Sequence, residues 1–330
     1  MPDPKVAVLI PVYNAERFVR DTLLSVLGQR GCDFRVIVVD DGSTDRSVET
    51  IEDLCRDPRV TLIRQRNIGK PATINRIARE IDAEVLLLND ADDLSHPDRV
   101  ARVSAVFAHE SDLAAAYSGY RLLLGSKLLA PVRCSRSREE CRTDIELFRM
   151  PGHDATASYR LDALREFPLA EDLPIGEGLD LALRMGEHRP MRVIADCLLT
   201  HRVHASSITR SDPSRSHRYE QETLRRACLR RGIAFEKTPL HRSERPREDV
   251  RGSAFAPDLG DFVNASMMSS RECGRWREAA VTLLHGISLR PLSVRSYRAL
   301  AYPLLPSGAL VNRWSRRDAD LRRAIDLARS

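Results

Sequence analysis

Four short apolar runs, Lys5 to Ile10, Phe34 to Val39, Val60 to Arg64 and Val85 to Leu88, each end in a polar turn, with helix-like segments between them. Alternation with connections this short calls for right-handed crossovers between parallel strands. Every turn that follows a strand then falls on one edge of the sheet, where open α/β sheets bind ligands. Tyr13, Asp41, Lys70, Asp90 and Asp92, far apart in sequence, are expected to converge there. Singly, each reads as turn punctuation; together they read as a site.

The fourth run stops abruptly in Asn89-Asp90-Ala91-Asp92-Asp93. Asp90 and Asp92 are two residues apart, so a briefly extended backbone sends both carboxylates to one side. Two hard oxygen ligands at that edge suit Mg²⁺ or Mn²⁺. An isolated D-x-D is as readily a solvated turn, so the surrounding pattern carries the reading.

Between the runs, Asn14 is a fitting N-cap for a helix to about Gln29, and Ser43 or Thr44 for one to about Cys55. Pro71 suits the first position of a helix reaching about Ile81. Ser95 to Asp98 start another, through about Ala108. Further on come a strand from Leu113 to Tyr120, a hairpin around Gly125-Ser126, an exposed charged arm from Arg133 to Thr143, and an alternating segment from Gly152 to Tyr159. Glu177 to His188 reads as a helix in which Asp180 and Arg184, one turn apart, can pair. Val193-Ile194 and Leu198 to Val203 read as two short strands. Beyond Arg210 the chain changes character: a polar linker, a basic helix from His217 to Arg231, a charged stretch, then helical patterning from about Leu259. The expected organisation is 1–210 as one α/β domain (halves 1–110 and 111–210), 211–258 as linker and basic helix, and 259–330 as a helical region.

Seven Cys at positions 32, 55, 134, 141, 197, 228 and 273 include no C-x-x-C pair, as expected of reduced thiols in the cytoplasm. The first run begins almost at once, so no signal peptide is expected. No apolar stretch approaches the roughly 18 residues of a membrane span. Net charge is +5, but 48 of the 52 Lys and Arg residues are Arg, a bias that weakens any Arg cluster as a sign of polyanion binding. No aromatic-plus-basic pattern of a nucleic-acid module is present. No G-x-G-x-x-G follows the first strand, and no G-x-x-x-x-G-K-[ST] occurs, against dinucleotide and P-loop domains.

Val8-Leu9-Ile10-Pro11-Val12-Tyr13-Asn14-Ala15-Glu16, Val38-Val39-Asp40-Asp41-Gly42-Ser43-Thr44-Asp45, Asn67-Ile68-Gly69 and Asn89-Asp90-Ala91-Asp92-Asp93, in that order and spacing, resemble glycosyltransferase family 2. The resemblance covers roughly the first 210 residues. It implies a GT-A fold: a mostly parallel sheet flanked by helices, with a nucleotide half, an acceptor half and here a mainly helical C-terminal extension. It implies inverting, metal-dependent transfer of a sugar from a nucleotide-sugar, a UDP-sugar above all, to an acceptor hydroxyl in cell-surface polysaccharide or glycolipid assembly. Pro11 and Tyr13 would line the nucleoside pocket, and Asp41 would accept a hydrogen bond from uracil. Lys70 would contact the donor. Asp92 would hold Mn²⁺ or Mg²⁺, with Asp90 supporting the metal or the donor sugar. Arg202-Val203-His204-Ala205-Ser206-Ser207-Ile208 resembles a later family element whose His approaches metal or diphosphate. His153 and Asp154 fall on the acceptor side.

One departure stands out. The family commonly shows Glu-Asp before an Asp-Leu-x-Leu-Arg helix, with that Asp as base; here the helix reads Glu177-Gly178-Leu179-Asp180-Leu181-Ala182-Leu183-Arg184, and Gly178 holds the base position. Glu171-Asp172 lies at the wrong spacing to replace it. The expected base is therefore Glu177, with Asp180 as the next candidate. The alternative is a degenerate module that binds nucleotide-sugar without chemistry. A nucleotidyltransferase would need a Gly-rich basic loop where Pro11-Val12-Tyr13-Asn14 stands. The acceptor is expected to be a glycan or lipid-linked. Arg271, Arg275, Arg277, Arg290, Arg295 and Arg298 beside the broken apolar run Ala299 to Leu310 suggest either peripheral docking on the inner face of a membrane or a helical subdomain.

Overall fold

A computed structural model describes residues 5–129, 131–132, 135–204, 213–241, 277, 280 and 318–329. The chain divides into two compact units, Met1–Leu123 with Cys134–Arg202, and Leu124–Arg133 with Val203–Ser330.

In the first unit, β1 (Val6–Val12) pairs in parallel with β2 (Phe34–Asp40) and β4 (Val85–Leu88), and β2 with β3 (Val60–Arg64). Val8 sits opposite both Val36 and Leu87, so three branched apolar side chains stack across one face of the sheet. Under that face pack Val19, Leu23 and Val26 of α1 (Val19–Leu27) and Val100, Val103 and Phe107 of α3 (Arg99–His109). All four residues of β4 are buried. A strand covered on both sides must be apolar at every position, which is why Val85 to Leu88 shows no alternation. Truncating Leu87 to Ala would cost about 2–5 kcal/mol.

Beyond β4 the sheet turns antiparallel. The sheet order is β3-β2-β1-β4-β8-β6-β9-β5, with β8 (Ser158–Arg160), β6 (Ala115–Leu124), β9 (Met191–Val203) and β5 (Leu94–Ser95). Strands β4 and β8, β8 and β6, and β5 and β9 run antiparallel. The mixed sheet is parallel from β3 through β4, as expected of a GT-A fold, and antiparallel at the β4–β8, β8–β6 and β9–β5 pairs.

Several local expectations need correction. The first helix starts at Val19, not after Asn14. Asn14 takes a left-handed backbone (φ 51°), and its Oδ1 accepts a hydrogen bond from the Thr44 amide at 2.8 Å. Asn14 therefore ties the turn after β1 to the turn after β2 instead of capping a helix. The helix expected from Ser43 or Thr44 to Cys55 is replaced by two short 3₁₀ turns, Glu49–Ile51 and Leu54–Arg56. Asp45 accepts hydrogen bonds from the Glu16 and Ser47 amides, both at 3.0 Å, and such side-chain competition displaces regular helix. The arm at 133–143 is no exposed loop: Arg138–Glu146 forms α4, capped by a reciprocal Ser137–Glu140 box and burying Cys141 and Ile145. The two strands read at 193–203 are one, β9.

The second unit contains the helix Pro213–Arg230, close to the expected basic helix, with Leu224, Ala227 and Cys228 buried. The Ala234 amide donates to the Ala328 carbonyl at 3.0 Å, joining it to a second helix at 318–327 whose Ile325 is buried. The Ala299 to Leu310 run, and the Arg residues beside it apart from Arg277, lie outside the described residues.

Candidate active site

The parallel strands deliver their turns to one edge. After β2, Asp41 is buried, and its Oδ1 accepts from the Ile68 amide (2.9 Å) and Gln65 Nε2 (2.6 Å). Its Oδ2 accepts from the Gly69 amide at 2.9 Å. Gly42 has φ 75°, and a Cβ there would fall 2.8 Å from the Asn67 nitrogen. The turn after β2 and the turn before α2 (Lys70–Glu80) are thus locked by one carboxylate and one glycine. Tyr13, after β1, stays 50% exposed beside the partly buried Pro11, leaving its ring available to a planar ligand.

The acidic turn after β4 is built from beneath. Arg99, fully buried, donates to Asn89 Oδ1 and to the Leu88 carbonyl, both at 2.9 Å. Burial pushes its guanidinium down to about 10, which leaves it charged at neutral pH. Asn89 Nδ2 donates to the Asp90 and Asp93 carbonyls at 3.0 and 3.3 Å, closing the turn. Asp93 points inward, with His201 Nδ1 at 2.9 Å and the Arg202 amide donating at 2.9 Å. Burial works against charge on His201, but Asp93, Asp92 and Asp90 outweigh it and raise its proton affinity. Asp90 and Asp92 are the half-buried members of the turn.

Lys70, opening α2, reaches across to Asp90, with Nζ 2.6 Å from Oδ1 and the two side chains 33% and 29% exposed. Burial alone would lower the ammonium's proton affinity; Asp90, Glu177 and Asp154 together raise it. Asp90, which burial would push up, is held down chiefly by Lys70. Glu177 opens α6 (Glu177–Gly186), and its carboxyl is pushed up to about 7 by burial, reinforced by Asp154 and Asp90 against the pull of Lys70. Burial likewise raises Asp154.

The first unit therefore gathers Lys70, Asp90, Asp154 and Glu177 around one ammonium, with Asp92 on the same acidic turn as Asp90. Asp180 is not among them: it is buried with Oδ2 accepting from Arg184 Nε at 2.7 Å, an anchor within α6. His204 lies in the second unit. The histidines of this cluster are His201 and His153, whose rings stand 5.0 Å apart, with Tyr120 4.4 Å beyond His153. Among the described residues no group of three or more His, Cys, Asp or Glu is arranged to hold a metal. Asp92 with Asp90 still forms a fitting donor set, because Mg²⁺ typically takes one or two carboxylates and completes its shell with water and substrate phosphate.

A family model for glycosyl transferase family 2 matches residues 7–161, which span β1 through β8 and the acidic turn. This segment belongs to glycosyltransferase family 2. GlyA, a glycosyltransferase of Streptococcus pneumoniae, is 32% identical over 114 residues, 34% of this chain and 16% of that protein. An uncharacterized glycosyltransferase of Haemophilus influenzae is 22% identical over 250 residues, 70% of this chain and 74% of its own length. The alignments to the first curated relatives cover from 16% to 33% of those proteins. The crystal structure of S. aureus TarS 1–349 in complex with UDP-GlcNAc superposes with a TM-score of 0.57 at 15% identity, covering 88% of this chain and 93% of that one, a likeness of fold. No helix among the described residues is long and apolar enough to cross a membrane.

Proposed function

We propose that this family 2 protein is an inverting, metal-dependent glycosyltransferase that moves a sugar from a UDP-sugar to an acceptor hydroxyl on a glycan or lipid-linked glycan, on the cytoplasmic side of cell-surface polysaccharide or glycolipid assembly. The observation that carries the reading is Glu177: a carboxyl with proton affinity near neutrality stands beside the Lys70–Asp90 pair. A general base works best when its pKa lies near the operating pH. TarS, which shares the fold, has been crystallised with UDP and with UDP-GlcNAc.

In this reading Tyr13 and Pro11 flank the nucleoside, and the remaining lone pair on Asp41 Oδ2 accepts the uracil N–H. Because Asp41 already holds the 68–69 backbone, that contact is made by a fixed group. Lys70 presents positive charge to the diphosphate. Asp92, supported by Asp90, would hold Mn²⁺ or Mg²⁺, which when bound would offset charge on the departing diphosphate. Glu177 accepts the acceptor's proton as its oxygen attacks the anomeric carbon from the side opposite the leaving group. The alternative, binding without chemistry, rested on Gly178; two carboxyls beside that glycine favour the transferase. A panel of sugar nucleotides with Mn²⁺, followed by donor hydrolysis or transfer, tests the reading. UDP release from at least one UDP-sugar, abolished by EDTA, is expected; silence across the panel with no UDP binding would overturn it.

A further inference from the structure

Gly178 lies in the first turn of α6, and a Cβ built on it would fall 2.1 Å from Asp154 Oδ1, 2.4 Å from Cγ and 2.6 Å from Oδ2. The Asp154 carboxylate thus fills the space a side chain at 178 would take. Its own turn is firmly seated. A Cβ on Gly152 would meet Tyr117 Cβ at 2.4 Å, so the chain lies flat on that ring. The Asp154 carbonyl accepts from the Ala157 amide at 2.9 Å, and Thr156 Oγ1 donates to the His153 carbonyl at 2.6 Å.

Nothing structural accounts for the carboxylate. Among the described residues no hydrogen-bond donor engages it, and α6 has no side-chain cap. Asp180, by contrast, is fully spoken for by Arg184. What Asp154 faces is the Lys70 ammonium, which it shares with Asp90 and Glu177. Lys70 is committed to Asp90 at 2.6 Å. Asp154 and Glu177 then remain with no cation of their own, and the charge on Asp154 raises the proton affinity of Glu177.

We propose that Asp154 is a catalytic residue, forming with Glu177 a carboxyl pair that receives the acceptor proton. This rests on the transferase reading above. As the acceptor oxygen bonds to the anomeric carbon, the bond from that carbon to the diphosphate oxygen breaks, and the electron pair leaves with UDP. The hydroxyl proton passes to the ionised member of the pair and later to water. Gly178 is the residue that makes room for this arrangement.

The other groups facing the pair are Lys70 from α2, Asp90 from the acidic turn, and Tyr117 and Tyr159 from β6 and β8. Burial raises both Glu177 and Asp154.

The test uses the full chain and whichever UDP-sugar it turns over. Asp154→Asn keeps size and shape and is expected to lower kcat by about 10²- to 10⁴-fold while UDP affinity holds. Glu177→Gln with Asp154→Asn should be no worse than the poorer single variant, because members of one unit are non-additive. Glu177→Gln alone removes a neighbouring negative charge, so the acid limb of its residual pH–rate profile should move to lower pH. If Asp154→Asn folds poorly, relocation decides: Asp154→Gly with Gly178→Asp should regain at least about tenfold over Asp154→Gly. An active wild type with Asp154→Asn at undiminished kcat, or with an unmoved acid limb in Glu177→Gln, overturns the pair and leaves the transferase reading intact. A wild type that neither binds UDP nor turns over any donor overturns both.

Discussion

Lys70 Nζ lies 2.6 Å from Asp90 Oδ1, and this ion pair ties the start of α2 to the turn after β4. Two strands separated by a whole crossover are thus joined at the point where their turns meet. Lys70→Met leaves Asp90, Asp154 and Glu177 without their shared cation. The Glu177 carboxyl should then rise above its present value of about 7. The acid limb of kcat is expected to shift to higher pH, with a loss of at least about tenfold at pH 7. A pH–rate profile of the variant checks this; an unmoved limb would separate Lys70 from the reacting groups.

Glu177 also leaves a mark on stability. Its folded value of about 7 is above the 4.5 of the free side chain, so the native state binds its proton more tightly than the unfolded chain does. The resulting stabilisation is complete below about pH 4.5 and is lost as pH rises through about 7. Glu177→Gln lacks this dependence. The melting temperature of the wild type should therefore fall relative to Glu177→Gln between about pH 5 and 8, and parallel curves would contradict the buried carboxyl.

Nucleotide and metal should stabilise together. A ligand that binds the native state alone adds about 2.7 kcal/mol at a hundredfold excess over Kd. UDP with Mn²⁺ or Mg²⁺ is expected to raise the melting temperature, and UDP in EDTA to raise it much less. Asp92→Asn should abolish the metal-dependent part. Asp41→Ala should weaken the rest, since it frees the Ile68 and Gly69 amides as well as removing an acceptor. Equal shifts with and without EDTA would remove the metal from the site.

Arg99 supports the acidic turn from within the core. Arg99→Met removes a donor from the Leu88 carbonyl and leaves Asn89 Oδ1 with the Ser95 hydroxyl alone, at 2.7 Å. An unsatisfied buried group costs about 1–3 kcal/mol, so a loss of about 1–3 kcal/mol is expected in urea unfolding. A change under about 0.5 kcal/mol, the range of ordinary surface substitutions, would mean the turn stands without it.

Much of the nucleotide half was legible in the sequence. Short apolar runs ending in polar turns fix parallel crossovers, and parallel crossovers put Asp41, Lys70 and Asp90 on one edge whatever their separation along the chain. Legibility failed where long-range contacts decided. Asn14 looks like a helix cap because its partner, the Thr44 amide, is thirty residues away. Arg99 carries no signal in a chain where 48 residues are Arg. His201 carries no signal in the sequence, because the Asp93 carboxylate that holds it is 108 positions distant. The Ser137-x-x-Glu140 signature was open to reading, but the charge around it suggested an exposed arm. Gly178 reads as a vacancy in one dimension. Only in three dimensions is the vacancy seen to be filled by Asp154.

That interlock couples the choice of residue at 154 to the choice at 178. Gly178→Asp alone drives one carboxyl into another already seated there, since even its Cβ would stand 2.1 Å from Asp154 Oδ1. Asp154→Gly alone leaves an unlined gap against the helix. A library that varies 154 and 178 together samples the exchange of glycine and aspartate between helix and turn, which a library that varies one position at a time does not.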